Sequence, residues 1–413
     1  MTKLEQLINE LCPNGVEYKT LGEIAVDVFR GAGIKRDEVT EEGIPCVRYG
    51  EIYTTYGVWF DECVSHTVLE NVPSPKYFEH GDILFAITGE SVEDIAKSCA
   101  YVGYEKCLAG GDIVVLKHTQ DPKYLAYALS TTEAQMQKSK GKVKSKVVHS
   151  SVPAIKGIVV PVPPLEVQRE IVRILDNFTE LTAELTAELT ARKQQYEYYK
   201  NNIFSSCLCE KVILGDVLQS IHTGLNPRKF FQLNTNDANN YYVTIREFKG
   251  GKLRFTDKTD KINDDALKLC NNRSNLEIGD VLFSGTGTIG EVFVIEEEPS
   301  NWNIKEGVYS LKPKKSRVLA KYLKHYLSSK EMMDKYETLA EGGTVKSISM
   351  KKMEAMEILL PSIAEQERIV TILDRFDGLC NDITTGLPAE IEARQKQYEY
   401  YRDKLLTFKE KEA

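Results

Sequence analysis

The 413-residue chain has no run of about 18 apolar residues, so no helix is expected to cross a membrane. Its opening, MTKLEQLINELCPNG, lacks a basic flank followed by an apolar run, so no signal peptide is expected. None of the nine cysteines forms a CxxC pair, and only Cys207 and Cys209 stand close together. That scatter fits reduced thiols in a cytoplasm better than a disulfide or zinc framework. The six histidines show no zinc-ligand spacing. There is no GxxxxGK-Ser/Thr loop, which excludes a nucleoside triphosphatase core. No glycine-rich loop lies between a strand and a helix with a ribose-binding acid after it, so no dinucleotide or S-adenosylmethionine pocket is evident. Thr286-Gly287-Thr288-Ile289-Gly290 reads as a hairpin or strand turn rather than a phosphate loop, although its glycines can bring backbone N–H groups near a phosphate. Positive charge is in deficit, 53 basic against 61 acidic residues with a net charge of −8. The balance argues against indiscriminate nucleic-acid binding and leaves room for local basic patches.

What the chain has in excess is repetition. Residues 163–204 read PPLEVQREIVRILDNFTELTAELTAELTARKQQYEYYKNNIF, and residues 361–408 say much the same, from PSIAEQERIVTILDRF to RQKQYEYYRDKLLTF. In the first copy Ile171, Ile174, Leu175, Phe178, Leu181, Leu185, Leu189, Tyr196, Tyr199 and Ile203 recur every three or four residues. The second copy repeats this from Ile369 to Leu405. The period predicts two long amphipathic helices that bury their stripes on each other as an antiparallel pair. Gly386-Leu387-Pro388 predicts a break in the second, with Pro388 in the first turn of the helix that follows.

Between the helices the same order of landmarks returns. Gly81-Asp82-Ile83-Leu84-Phe85 is answered by Gly279-Asp280-Val281-Leu282-Phe283, Tyr124-Leu125 by Tyr322-Leu323, and Pro163 by Pro361, each 198 residues later. Val47-Arg48-Tyr49-Gly50-Glu51 is echoed more loosely by Val243-Thr244-Ile245-Arg246-Glu247. Short strands are expected at Ile44–Val47, Ile83–Ile87, Ile113–Leu116 and Ile158–Val162, and helices at Leu4–Leu11 and Tyr124–Met136. The expected division is a globular domain over 1–162, a helical spacer over 163–207, a second globular domain over 208–360 and a second helical spacer over 361–413. Similar scaffolds with dissimilar loops suggest one architecture used for two different targets.

Taken together, these features resemble the specificity subunit of a type I restriction-modification enzyme. The resemblance is carried by Pro163-Pro164 with Gln168-Arg169-Glu170-Ile171, and by Pro361 with Glu365-Gln366-Glu367-Arg368-Ile369. It is also carried by RKQQYEYY at 192–199 and its echo RQKQYEYY at 394–401, by the GDILF and GDVLF turns, and by CPNGVEY at 12–18. It covers almost the whole chain. The fold it implies is mixed α/β (α+β): two globular target recognition domains with pseudo-twofold symmetry, joined by two long antiparallel coiled-coil helices. It also implies that each domain reads one half of a split, asymmetric DNA site. The helices would set the spacer and dock two modification (methyltransferase) subunits, which two restriction subunits join. The chain itself would catalyse nothing, and S-adenosylmethionine, ATP and Mg would be found only on partner subunits. No Asn-Pro-Pro-aromatic loop of an adenine methyltransferase is present; Asn226-Pro227-Arg228 is not that motif. A fused methyltransferase and a coiled-coil adaptor that touches no nucleic acid are the alternatives.

DNA contact needs cations for phosphates and planar donors for base edges. In the first half the candidates are Arg30, Lys35, Arg36, Arg48, Tyr49, Tyr53 and Tyr56. With them stand five alternating lysines, Lys138, Lys140, Lys142, Lys144 and Lys146, which an extended segment would place on one side. In the second half they are His222, Thr223, Asn226, Arg228, Lys229, Arg246, Lys249, Thr286 and Lys346. Residues 211–261 hold nine Lys or Arg against five acids within an acidic chain. Arg192, Lys193, Tyr198, Arg394, Lys396 and Tyr400 are candidates for partner contacts, since tyrosine and arginine are enriched at interfaces. The tetrad Leu-Thr-Ala-Glu at 181–184 and 185–188 drifts about 40° per step from the helical turn. It suits a helix that can be lengthened by whole units.

Overall fold

The computed structural model describes every residue except 1, 90, 93, 140, 141, 145, 146, 206–208, 250, 251, 383, 384 and 413, and does not describe the side chains of 142–144, 147, 205, 249 and 252. The chain forms two compact units, Met1–Ala183 with Ala393–Ala413, and Glu184–Glu392.

The apolar run after each Gly-Asp turn is buried on both faces. In the first unit Ile83 and Phe85 face a core shared with helices, whereas Leu84 and Ala86 face a second core between sheets. Alternation with a period of two sends neighbouring side chains to opposite faces. Ile83–Ala86 is the centre of a five-stranded sheet, ordered Ala25–Arg30, Ile113–His118, Ile83–Ala86, Ser98–Tyr101, Trp59–Phe60. A second sheet pairs Ile44–Val47 parallel to Cys107–Ala109. The other unit repeats this with fewer strands: Leu218–Thr223, Val308–Pro313, Val281–Ser284, Val292–Val294 in one sheet, and Asn240–Val243 parallel to Trp302–Ile304 in another. Gly81 and Gly279 both turn with positive φ, +95° and +93°, a conformation that favours glycine.

A buried glutamine pins the start of each long helix. Gln168 donates from Nε2 to the Pro163 carbonyl at 2.7 Å and accepts the Asp121 N–H at 3.0 Å. Gln366 donates to the Pro361 carbonyl at 2.9 Å and accepts the Leu319 N–H at 2.9 Å. These two backbone partners are displaced by the same 198 residues, whereas the second Nε2 hydrogen goes to Gln120 Oε1 in one unit and to the Arg317 carbonyl in the other. Tyr124 and Tyr322 match in the same way, donating to the carbonyls of Pro161 and Leu359.

The first long helix is one piece, Leu165–Ser205 (41 residues). The second is two, Ile363–Asn381 and Leu387–Leu405, with Pro388 in the first turn of the latter as expected. Each unit owns parts of both stretches. In the first, Phe178 stacks on Tyr401 at 5.6 Å and Tyr127 meets Tyr398 edge-on. There Tyr18 Oη donates to the Phe408 carbonyl, and Val16 N–H to that of Lys409. Contacts near the start of Leu165–Ser205 thus fall late in the second stretch, the order of an antiparallel pair. In the other unit Phe376 stacks on Tyr199 and Tyr196 at 5.7 and 6.2 Å, and Phe204 meets Tyr326.

Three expectations need correction. Leu181 is 36% exposed, and Leu185 and Leu189 are only half-buried; the drift of a four-residue repeat carries these leucines off the buried face. Tyr124–Met136 is not one helix but Pro122–Leu129 and Thr132–Lys138, because the Thr131 hydroxyl caps the second by accepting the Ala134 N–H. Seven of the cysteines are free thiols, but Cys209 is disulfide-bonded.

Replacing Gln168 with Ala strands the Asp121 N–H and the Pro163 carbonyl. Each buried, unpaired group costs about 1–3 kcal/mol. Gln168→Ala should therefore lower the denaturant midpoint of the unit containing residues 1–183, followed by its tryptophan Trp59, and Gln366→Ala should leave that signal in place.

Candidate nucleic-acid interface

In the first unit three segments meet along one edge of the sheets. Ala25–Arg30 runs into Gly31-Ala32-Gly33, and Ala32 N–H donates to the Ala109 carbonyl at 2.9 Å while Gly110 N–H donates to that of Val47 at 2.8 Å. A side chain on Gly31 would strike the Gly110 and Ala109 carbonyls, so the glycine permits this approach. Val47 leads into a short helix, Tyr49–Thr54, whose buried Glu51 caps it by accepting the Arg48 N–H at 3.0 Å. Tyr53, in that helix, bonds the Ala86 carbonyl. Two residues on, Thr88-Gly89 pairs with Val148-His149, the return strand of a hairpin that carries Lys142–Lys144.

The other unit builds the same edge. Gly224 stands where a side chain would strike the Ile304 carbonyl, Lys305 N–H donates to the Val243 carbonyl at 2.8 Å, and Glu247 caps its turn by accepting the Thr244 N–H at 2.8 Å. Thr286 pairs with Ser347, as Thr88 does with His149. Gly307 N–H donates to Thr223 Oγ1, and Asn226 donates to Glu306 at 2.8 Å. The stretches FRGAG and HTGLN, the loosely echoed Val47–Glu51 and Val243–Glu247, and the lysine-rich hairpin and Thr286 with Lys346 are therefore equivalent pairs.

Not every candidate side chain faces out. Arg30, Lys35, Arg36, Tyr49, Arg228, Lys229, Arg246, Thr286 and Lys346 are exposed; Arg48, Tyr53, His222 and Asn226 are half-buried. Glu38 bonds Lys35 and holds its ammonium above the ordinary lysine range. Thr223 and Tyr56 are buried, the Thr223 hydroxyl donating to Val308 and Tyr56 Oη accepting the Val64 N–H. Lys140 and Lys146 lie outside the described residues, as do the side chains of Lys142, Lys144 and Lys249.

Lys138 does not belong to the expected row. It ends a helix, not a strand, and is 5% exposed, donating to the Leu129 carbonyl at 2.7 Å and Ser98 Oγ at 3.1 Å. Its counterpart, Tyr336, donates to the Leu327 carbonyl at 2.9 Å. Lysine here substitutes for a core tyrosine.

On the helices Tyr198 and Tyr400 are 65% and 62% exposed, and Lys193 and Lys396 are exposed. Arg192 bonds Glu188 and Gln195, and Arg394 bonds Gln397. The acids on the edges, Asp112, Asp260 and Glu306, are not among the residues expected from sequence, since DNA contact calls for donors rather than carboxylates. Among the described residues no group of His, Cys, Asp and Glu is arranged to hold a metal, and no helix is long and apolar enough to cross a membrane.

Comparison with known proteins points one way. The family model of the type I restriction modification DNA specificity domain matches residues 13–192 and again 209–393. A putative type I restriction enzyme specificity subunit of Haemophilus influenzae is 34% identical over 287 residues, 65% of this chain and 68% of that one. The EcoR124I/EcoR124II specificity subunit of Escherichia coli is 33% identical over 295 residues, 69% and 70% of the two chains. A solved structure from a study of complex assembly and conformational transition in the type I R-M system superposes with a TM-score of 0.64 at 18% identity, covering 96% of this chain and 98% of that one. The type I S subunit of M. genitalium gives 0.52 at 14% identity, covering 95% and 96%.

Burial pushes the Lys138 ammonium down to about 7, whereas an unfolded lysine titrates near ~10.4. Between those values the unfolded chain binds the extra proton, so stability rises with pH across that window. Lys138→Met should remove that rise. The check is the denaturant midpoint of both proteins at pH 7 and pH 10, where the parent's should rise relative to the variant's as the pH increases.

Proposed function

The chain belongs to the family of type I restriction-modification DNA specificity subunits, non-catalytic components that recognise DNA sequence, and from that premise we propose that the edge described in each unit reads one half of a split, asymmetric site. The observation that carries this reading is the equivalence of the two edges. Candidate residues chosen separately in two dissimilar halves fall on the same three segments of one repeated scaffold. The side chains differ at matching positions, Arg30 against Thr223 and Gly50 against Arg246, as two heads with different targets require. The described candidates that are not buried are Arg30, Lys35, Arg36, Arg48 and Tyr49 in one unit, and His222, Asn226, Arg228, Lys229, Arg246, Thr286 and Lys346 in the other.

The partner arrangement completes the proposal. Two modification subunits dock on the outer helical residues, Arg192, Lys193 and Tyr198 of one stretch and Arg394, Lys396 and Tyr400 of the other. Two restriction subunits join them in the cytoplasm. S-adenosylmethionine, ATP and Mg reside on those partners.

Expressing the chain with its modification partner and mapping methylated bases across a genome tests the core of this reading; two short sequences separated by a fixed gap are expected, and a single continuous site would overturn it. The helix has its own test. One Leu-Thr-Ala-Glu unit adds about 6 Å of helix, against about 3.4 Å per base step. Inserting a unit after Glu188 should widen the gap by one or two base pairs and leave both half-sites unchanged in the same mapping.

A further inference from the structure

The cations on the two edges are in different states. Arg30 donates from Nη2 to Asp112 Oδ1 at 2.6 Å and from Nε to the Gly111 carbonyl. Arg246 donates from Nη2 to Asp260 Oδ2 at 2.7 Å and from Nε to Thr244 Oγ1 at 3.2 Å. Asp260 is itself held, its other oxygen accepting from Asn234 at 2.9 Å. Yet the two arginine side chains are 58% and 56% exposed. Arg36, Arg228, Lys229 and Lys346 are exposed as well, and among the described residues none of them has an ion pair. Lys35 and Arg48 do have acid partners, Glu38 and Glu51, but those glutamates also accept their partners' backbone N–H and so cap the local turn. Asp112 and Asp260 lie 82 and 14 residues from the arginines they hold and cap nothing for them.

We propose that these acids sort the cations by task. Asp112 and Asp260 are positioning residues that aim Arg30 and Arg246 at base edges, and the unpaired cations hold phosphates. The inference rests on the edges being the DNA-reading surfaces. A phosphate contact draws its strength from net positive charge and counterion release. An arginine already neutralised by aspartate has little of that to offer, and its carboxylate repels the phosphates. Base reading asks for something else, a planar donor fork held at a set angle. Two of its nitrogens are fixed by protein acceptors, and Nη1 with the second Nη2 hydrogen is left to donate. The two arginines occupy non-equivalent positions of the repeat, so each head carries its reader at a different point along a common edge.

The test uses the complex with the modification partner, its base preferences by methylation mapping and its affinity for unrelated duplex DNA across salt. Asp260→Asn keeps the shape and removes the charge. It should relax one base position of one half-site by about 5- to 150-fold and leave the other half-site alone. It should also steepen the salt slope on unrelated DNA by roughly one phosphate contact. Asp260→Glu should restore the preference, and Asp112→Asn should act in the same way on the other half-site. Lys346→Ala should weaken all sequences alike and flatten the slope by a similar amount. A general folding defect would lower affinity for unrelated DNA, opposite to the rise expected for Asp260→Asn. If Arg246→Ala relaxes a base position but Asp260→Asn does not, or if Lys346→Ala relaxes one, the sorting is overturned and the reading surface stands. If Arg246→Ala and Arg30→Ala both leave every base preference intact, the reading surface falls and the sorting with it.

Discussion

A long amphipathic helix has an apolar stripe that must be covered along its length, and this structure depends on how that is done. Leu165–Ser205 is covered at its start by the first unit and at its end by the second. The second stretch is covered the other way round, Ile363–Asn381 in the second unit and the end of Leu387–Leu405 in the first. Aromatic stacking at Phe178–Tyr401 and Phe376–Tyr199 closes each exchange. Aromatic pairs bring large buried area and a preferred geometry, which Tyr196 and Tyr199 of one QYEYY and Tyr398 and Tyr401 of the other supply. Of the tetrad leucines between these ends Leu181 is exposed and Leu185 and Leu189 are half-buried, so a change of length there disturbs little packing.

The repeat is strict where geometry is demanded and loose where only volume is. Gln168 and Gln366 keep two matching backbone partners, a proline carbonyl and an N–H 47 residues earlier, because a buried amide needs its donors and its acceptor satisfied. Elsewhere different side chains fill one role. Tyr127 and His325 both bond the aspartate of the facing helix, Asp176 and Asp374, at 2.7 and 2.6 Å. Lys138 and Tyr336 both reach the last carbonyls of the preceding helix. At the edges, where neither packing nor hydrogen-bond closure dictates the residue, the halves diverge.

Much of this was legible in the residues. The duplicated helix starts and ends, the break before Pro388, and the Gly-Asp strands are local signals, and the structure has all of them. The glutamines stood out as a motif, but their role needed partners 47 residues away. Lys138 was misread because alternate lysines look like a strand face, and only the Thr131 cap shows that a helix continues to that point. Thr223 was misread because the composition of a strand does not say which alternate residues point inward. Asp112 and Asp260 left no local trace at all, since each is defined by an arginine brought to it by the fold.

The partition of the chain also bears on how it is made. Glu184–Glu392 is one continuous stretch, whereas the other unit needs both Met1–Ala183 and Ala393–Ala413. On a ribosome domains ordinarily complete from the N-terminus onward. Here the order is reversed: the later unit has all its residues first, and the earlier one waits, with part of its apolar surface uncovered, until the last helix emerges. The N-terminal unit is therefore the last to close its core during translation.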